Sequence, residues 1–434
     1  MEGGFNKVML MTAENEKEVI AKLPCPNVVP PRHSTASEAA ILKYVRSHTS
    51  VPVCKVLGWS SDASNPVGSE YILIKKARGR QLVDLAEMEF PAYGSLYFRH
   101  SGLRNSNRVV PMGDDYCVGP AYDASWFPQP GGDNHAGPWK RLTDVGLGLV
   151  DRGLAHLQRP SLAPRTPHFG IRSEHFHILK KARVIILHLG QFPPLQRFAK
   201  PTLWHKDLHI GNIYVSEQDL TAIVNIIDWQ FTSIMPAFMQ IQWPPFLAPP
   251  DGYESGAVKP QLPSNFEDMD ADEKAFAITE RNQALLSKCY EAALVKSHMP
   301  SYLAMTQVDS AIRYLFTFAE NTTKDGIGPL RDCLTQIAEN WNEIGIAEQC
   351  PYHTTSKTVW KLKMELARYK DWQTLEGYTQ ELLQTDDEGW ISPQLDFEKA
   401  QAKHAELFQL YIEKEAGEST EEDARRLWFY LENA

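Results

Sequence analysis

Residues 203–229 read LWHKDLHIGNIYVSEQDLTAIVNIIDW, and the fold turns on this stretch. Ile213-Tyr214-Val215 and the run Ala222 to Ile227 are β-branched and apolar, and the polar cluster Ser216-Glu217-Gln218-Asp219 between them has turn chemistry. A short loop carrying His205, Asp207, His209, Gly211 and Asn212 therefore feeds a β-hairpin, and Asp228 falls where the second strand ends.

That pattern suits one chemistry. Phosphoryl transfer asks a protein for a carboxylate near the attacking hydroxyl and for oxygen ligands that hold magnesium between the phosphates. Asp207, Asn212 and Asp228 supply those groups, with Asn212 five residues after Asp207, the spacing of an H-x-D-x-x-x-x-N catalytic loop. An aspartate in a loop is, taken singly, a turn or cap residue. The three polar groups in register around a hairpin are a far more specific signal. His205 and His209 are also four apart, the spacing of a zinc pair on a helix, but no H-E-x-x-H glutamate accompanies them and Gly211 opposes a continuing helix.

HKDLHIGN followed by IIDW resembles the aminoglycoside phosphotransferase and choline kinase branch of the protein-kinase-like fold. DLHIGNIYV and IIDWQ, with GGFNKV at residues 3–8 and FPAYGSLYF at 90–98, resemble the fungal phosphotransferase group that includes the altered-inheritance-of-mitochondria protein nine. The resemblance implies that Asp207 is the catalytic base, that Asn212 and Asp228 hold magnesium, that His205 braces the loop, and that ATP is the phosphoryl donor. It also points to mitochondria.

Across 434 residues, 43% hydrophobic, there is enough apolar material for sizeable cores. A net charge of -10 argues against a nucleic-acid binder that works by neutralising phosphates. Cys25, Cys54, Cys117, Cys289, Cys333 and Cys350 are scattered without a C-x-x-C pair and read as reduced thiols, which fits a cytosolic or matrix compartment. No run approaches a membrane span, and the first residues carry acids rather than an Arg-rich amphipathic stretch, so no targeting peptide is evident.

Taken in order, Gly3-Gly4 precede a strand, a polar turn and the strand Glu18 to Lys22. Glycines let the backbone approach phosphates, and a lysine ending V-I-A-K resembles the kinase lysine that holds them; read alone, each is an ordinary turn and an ordinary surface lysine. Ser34-Thr35-Ala36-Ser37 marks a helix start. Glu38, just inside it, is either a favourable N-terminal charge or the partner of Lys22. Strands are expected at Val51–Leu57 and Glu70–Ile74, and the resemblance implies that the second leads into a hinge where the backbone around Ile74 to Ala77 would face the adenine. Relative to the family pattern, the strand before the glycine turn is missing, and Val83 to Glu89 replaces a longer helical stretch.

Residues 90–137, rich in Gly, Pro and aromatics, read as an irregular insert. Helices follow at Trp139 to Gln158 and Glu174 to Gln191. Pro236 to Gly252 is too proline-rich for helix or central strand and matches an activation-segment-like loop in position. Glu267 to Glu273 reads as a solvated helix start, and Phe276, Leu285, Leu286, Cys289, Tyr290 and Ala293 mark a long amphipathic helix after it, ended by Pro300. Core stripes recur at Val308 to Phe316 and Leu330 to Ile344. The tail from Lys357 to Tyr430 reads as helices packed on the large lobe, with a protein-binding role as the alternative.

The expected architecture is α+β and bilobal: an N-terminal nucleotide-binding lobe over 1–80, a catalytic lobe over 81–345, and a helical extension over 346–434. The expected function is transfer of the ATP γ-phosphate to a hydroxyl of a small molecule. Asp207 would act as base, Asn212 and Asp228 would place Mg2+, and Gly3, Gly4 and Lys22, with Glu38 behind it, would bind the phosphates. Two rivals stand beside it: a pseudokinase or structural module without turnover, and a zinc hydrolase using His205 and His209.

Overall fold

The computed structural model describes residues 6–12, 18–25, 32–75, 85, 87–100, 108–122, 136–158, 168–216, 218–219, 222–385, 396–415, 425 and 428. Its architecture is α+β, with a small β-rich N-terminal region followed by a larger helical part.

The N-terminal sheet contains β1 (Asn6–Thr12), β2 (Glu18–Pro24), β3 (Lys55–Ser60) and β4 (Tyr71–Lys75), in the order β1-β2-β4-β3 with every pair antiparallel. Lys22 sits in the second strand of that order, opposite Val8 on one side and Ile72 on the other. Helix α1 (His33–His48) packs on this sheet through Ala39, Ala40, Ile41 and Val45, all fully buried.

The start of α1 differs from the sequence expectation. Ser34, Thr35 and Ser37 lie buried inside its first turns, and no side chain caps from the N-cap position. Glu70, just before β4, fills that role from a distance: it accepts from Arg32 N at 2.7 Å and from Thr35 Oγ1 at 2.7 Å. A carboxylate at a helix N-terminus satisfies free N–H groups and complements the helix dipole wherever in the chain it comes from.

Within the stretch expected to be irregular, β5 (Ser95–Phe98), β6 (Val110–Met112) and β7 (Tyr116–Gly119) form a three-stranded antiparallel sheet ordered β5-β7-β6. Its inner residues Leu96, Tyr97 and Val118 are fully buried. The glycines, prolines and tyrosines that suggest loop also suit short strands between turns, and burial of the aromatics decides between the two.

The helical part is built on α2 (Leu142–Leu157) and α3 (Arg172–Gln191), the short α4 (Pro193–Gln196) and α5 (Ala237–Gln240), then α6 (Ala271–Ser297), α7 (Met299–Thr306), α8 (Ser310–Asp325), α9 (Gly328–Glu339) and α10 (Trp341–Ile344). Leu149, Ile185, Leu315, Phe316, Leu330 and Leu334 centre its core. Helix α2 approaches α8 so closely that a Cβ on Gly153 would stand 2.4 Å from the Ala319 carbonyl oxygen.

Helix α6 begins as expected, with a capping box between Asp270 and Glu273. Its buried face is made by Ala277, Ala284, Ser287, Glu291 and Leu294, while Phe276 is 67% exposed and Leu286 and Cys289 are also outside. The helix has apolar residues on two faces, and periodicity alone does not say which is covered.

Short pairs complete the sheet content: β8 (Pro201–Leu203) with β11 (Ile234–Pro236), and β9 (Ile213–Val215) with β10 (Ile223–Ile226), the hairpin read from the sequence. At the C-terminal end, α11 (Ser356–Leu383) is tied to α9 by Arg331 and Glu365, 2.8 Å apart. Helix α12 (Phe397–Glu415) packs on α11 in a small cluster of Trp372, Phe408, Tyr411 and Trp428. Among the described residues no helix is long and apolar enough to cross a membrane.

Candidate active site

The site forms where the N-terminal sheet meets the loop and hairpin of residues 203–229. Lys22 Nζ donates to Glu38 Oε1 at 2.8 Å and to Asp228 Oδ1 at 2.9 Å. Strand β2 aims the lysine, α1 presents Glu38, and Asp228 leaves the end of β10 with φ +61°. That left-handed conformation is one that aspartate tolerates better than most residues.

Burial by itself would lower the Lys22 pKa, but Glu38 and Asp228 more than reverse that and hold the ammonium firmly charged. Burial would lift Asp228 in turn, and Lys22 overrides it, so its carboxyl lies below the usual range. Glu38, deepest of the three, is pushed up by burial despite Lys22.

Asp207 and Asn212 form the second half of the site. Asn212, 6% exposed, donates through Nδ2 to the Asp207 carbonyl at 2.8 Å and to Asp207 Oδ2 at 3.1 Å. The Asp207 side chain is 66% exposed, open to an incoming molecule. Asn212 itself is anchored, its carbonyl accepting from Ile227 N at 3.0 Å, so the loop and the strand leading to Asp228 are held together.

His205 is buried, and desolvation lowers its pKa, so the ring is neutral; Nε2 donates to the Ile227 carbonyl at 2.8 Å. The ring also meets Trp229 edge-on, with centroids 4.8 Å apart. His209 turns the other way: its Nδ1 accepts from Gly211 N at 3.1 Å and its Nε2 is 3.5 Å from Asp207 Oδ2. The two histidines therefore face different partners, and no trio of His, Cys, Asp or Glu that could hold a metal occurs among the described residues.

Asn212 spends its amide N–H on Asp207, which leaves its side-chain oxygen as the atom that could serve as a cation ligand. With the Asp228 carboxylate it offers oxygen ligands only. Oxygen ligands suit magnesium, which keeps several waters and takes one or two protein oxygens plus substrate phosphates.

The structure thus brings Lys22, Glu38 and Asp228 together, sets Asp207 against Asn212, and places His205 behind the loop. Gly3 and Gly4 lie outside the described residues. Two contributors escaped sequence reading. Trp229, fully buried, fixes the turn after Asp228 by donating from Nε1 to the Ile226 carbonyl at 3.0 Å. Gln230 accepts from the side chain of Asn6 on β1. Their position directly after Asp228 was the available signal.

A strand lysine paired to a helix glutamate in a small antiparallel sheet, joined to a loop, hairpin and aspartate on a helical part, is an arrangement similar to that of the protein-kinase-like fold. No protein-family model matches the sequence. The chain is 27% identical over 497 aligned positions to subtelomeric hrmA-associated cluster proteins from two Aspergillus fumigatus strains, covering 99% of this chain and 95% of each relative. It is 22% identical over 310 positions to the altered inheritance of mitochondria protein 9 of Lachancea thermotolerans, covering 55% of this chain and 48% of that protein. Among solved structures, a Plasmodium vivax ethanolamine kinase is similar at 11% identity and a TM-score of 0.34, covering 75% of this chain and 80% of that one. An amicoumacin kinase in complex with AMP-PNP and Ca2+ is similar at 13% identity and a TM-score of 0.26, covering 86% and 87%.

Proposed function

We propose that this chain is an ATP-dependent phosphotransferase acting on a hydroxyl group of a small molecule. The observation that carries the reading is the ion pair of Lys22 with Glu38, closed onto Asp228 beside the Asp207–Asn212 loop. The groups that grip phosphates and those that meet the acceptor converge from elements far apart in the chain.

In this reading Lys22 binds the donor phosphates and Glu38 keeps it aimed. Asp207 orients the acceptor hydroxyl and takes its proton as oxygen bonds to the γ-phosphorus and the bond to the β-phosphate oxygen breaks. Asn212 and Asp228 would hold magnesium, which when bound neutralises charge between the phosphates. Neutral His205 keeps loop and hairpin in register and leaves the proton on Nε2. Gly3 and Gly4 complete the phosphate cover, residues 1–80 act as the nucleotide lobe and 81–345 as the catalytic lobe. The region 90–137 and the segment after Pro250 select the acceptor.

Likeness to the altered inheritance of mitochondria protein 9 supports placing the chain in that fungal phosphotransferase group and its site of action in mitochondria. A fluorescent fusion expressed in a fungal cell tests the second part, and diffuse signal outside mitochondria would refute it.

The deciding experiment is a thermal melt with and without saturating Mg-ATP, repeated with Asp228→Ala. Ligand at about a hundred times its dissociation constant should add roughly 2.7 kcal/mol. A magnesium-dependent shift that disappears in the variant supports the proposal and opens a screen of hydroxyl acceptors. A cooperative melt with no shift would turn the reading to a pseudokinase or structural module.

A further inference from the structure

Helix α11 has two apolar faces. Leu362, Trp372, Thr379 and Leu383 turn toward the body of the protein. On another face Trp360 is 66% exposed, Met364 44%, Tyr378 60% and Leu382 36%. These four have a symmetrical spacing: Trp360 and Met364 stand eleven and seven residues before Asp371, and Tyr378 and Leu382 seven and eleven after it. Seven residues are about two helical turns, so all four and Asp371 share one face.

Charge is divided about the same centre. The first half of the helix carries Lys361, Lys363, Arg368 and Lys370 against Glu365, and the second half carries Asp371, Glu376 and Glu381 with no base. Such a helix repels a parallel copy of itself and attracts an antiparallel one. A self-complementary patch related to itself by a two-fold axis is also what a closed symmetric dimer requires.

We propose that α11 is a self-association seam, and that two copies of this chain pair their α11 helices antiparallel about a two-fold axis at Asp371. Trp360 of one copy packs on Leu382 of the other, and Met364 on Tyr378. On the flank Lys363 faces Glu381 of the second copy; both are exposed, and neither is in an ion pair within its own chain among the described residues. Asp371 meets its own counterpart at the axis, the one repulsive contact of the pairing, with Arg368 and Lys370 beside it.

Sedimentation of the full chain over a dilution series tests the association, and cysteine cross-linking in a Cys289→Ser background tests its geometry. Expected are a mass of twice 49.2 kDa at high concentration, dissociating on dilution. Trp360→Glu should weaken the dimer by about tenfold or more, since buried tryptophans dominate such interfaces, and Asp371→Leu should tighten it. Asp371→Cys should cross-link to its own copy, and Trp360→Cys only when Leu382→Cys is also present. A monomer at every concentration, a dimer indifferent to Trp360→Glu, or self-linking of Trp360→Cys alone would each overturn the proposal. Because these side chains are exposed, unchanged circular dichroism of the diluted variants separates lost association from lost folding.

Discussion

Lys22 on β2 reaches Asp228 at the end of β10, Nζ to Oδ1 2.9 Å, across 206 residues of sequence. The bond joins the small sheet to the hairpin of the helical part, and Glu38 anchors the same ammonium from behind at 2.8 Å. A buried ammonium between two carboxylates is held only while both remain charged partners, so the three act as a unit.

Removing the cation is therefore the most disruptive change in the site. Lys22→Met leaves Glu38 buried without its partner and should cost about 3–5 kcal/mol in urea unfolding. Adding Glu38→Gln removes the stranded charge and should recover part of that loss. A single variant as stable as wild type would show that the pair does not hold the sheet.

Asp228→Asn should keep the backbone, because asparagine accepts a left-handed conformation well, yet abolish the magnesium-dependent thermal shift. Its pH dependence has a definite sign. The folded Asp228 pKa lies below its ordinary value of 3.8, so its contribution is complete above about pH 4 and is lost as pH falls through the folded value. The stability gap between wild type and Asp228→Asn should thus be open at pH 7 and close in acid.

Asp207→Ala should separate chemistry from folding. The side chain is 66% exposed, so the melting temperature should hold, while phosphoryl transfer to an acceptor found by screening should drop about a hundredfold or more. Full retained turnover would remove Asp207 from the proposed mechanism.

Asp325, at the end of α8 and near Glu376 of α11, is pushed up to about 6 by burial. A raised carboxyl favours the folded state in its protonated form, so its contribution is present below pH 3.8 and lost as pH rises through about 6. Melts between pH 4 and 8 should show Asp325→Asn gaining on wild type as pH rises. A gap that narrows instead would reverse the assignment.

Two glycines should respond oppositely to alanine. At Gly153 the new methyl meets the Ala319 carbonyl at 2.4 Å, and backbone cannot yield cheaply, so a loss of about 1–3 kcal/mol is expected. Gly377, inside α11, has nothing within 4 Å, and alanine there should add about 0.5–1 kcal/mol through helix propensity. Thermal melts of the two variants give the comparison directly.

The loop from His205 to Asn212, the hairpin and Asp228 were legible in the sequence because their logic is local: spacing within a few residues and strand periodicity decide it. Lys22 and Glu38 were legible through their order along the chain. Other features depended on what lies opposite. Glu70 replaced Ser34 to Ser37 as the cap of α1, residues 95–119 closed into a sheet, and α6 buried Ala277 and Leu294 rather than Phe276 and Leu286.

By itself, then, the sequence determined the layout of loop, hairpin and aspartate, the α+β character and the faces on which apolar residues gather. Only the tertiary structure decided which face is covered, that Lys22 meets Asp228 as well as Glu38, and that Trp360 and Tyr378 stand outside on α11. The reason is physical: periodicity fixes which side chains share a direction, whereas burial and ion pairing depend on segments hundreds of residues away.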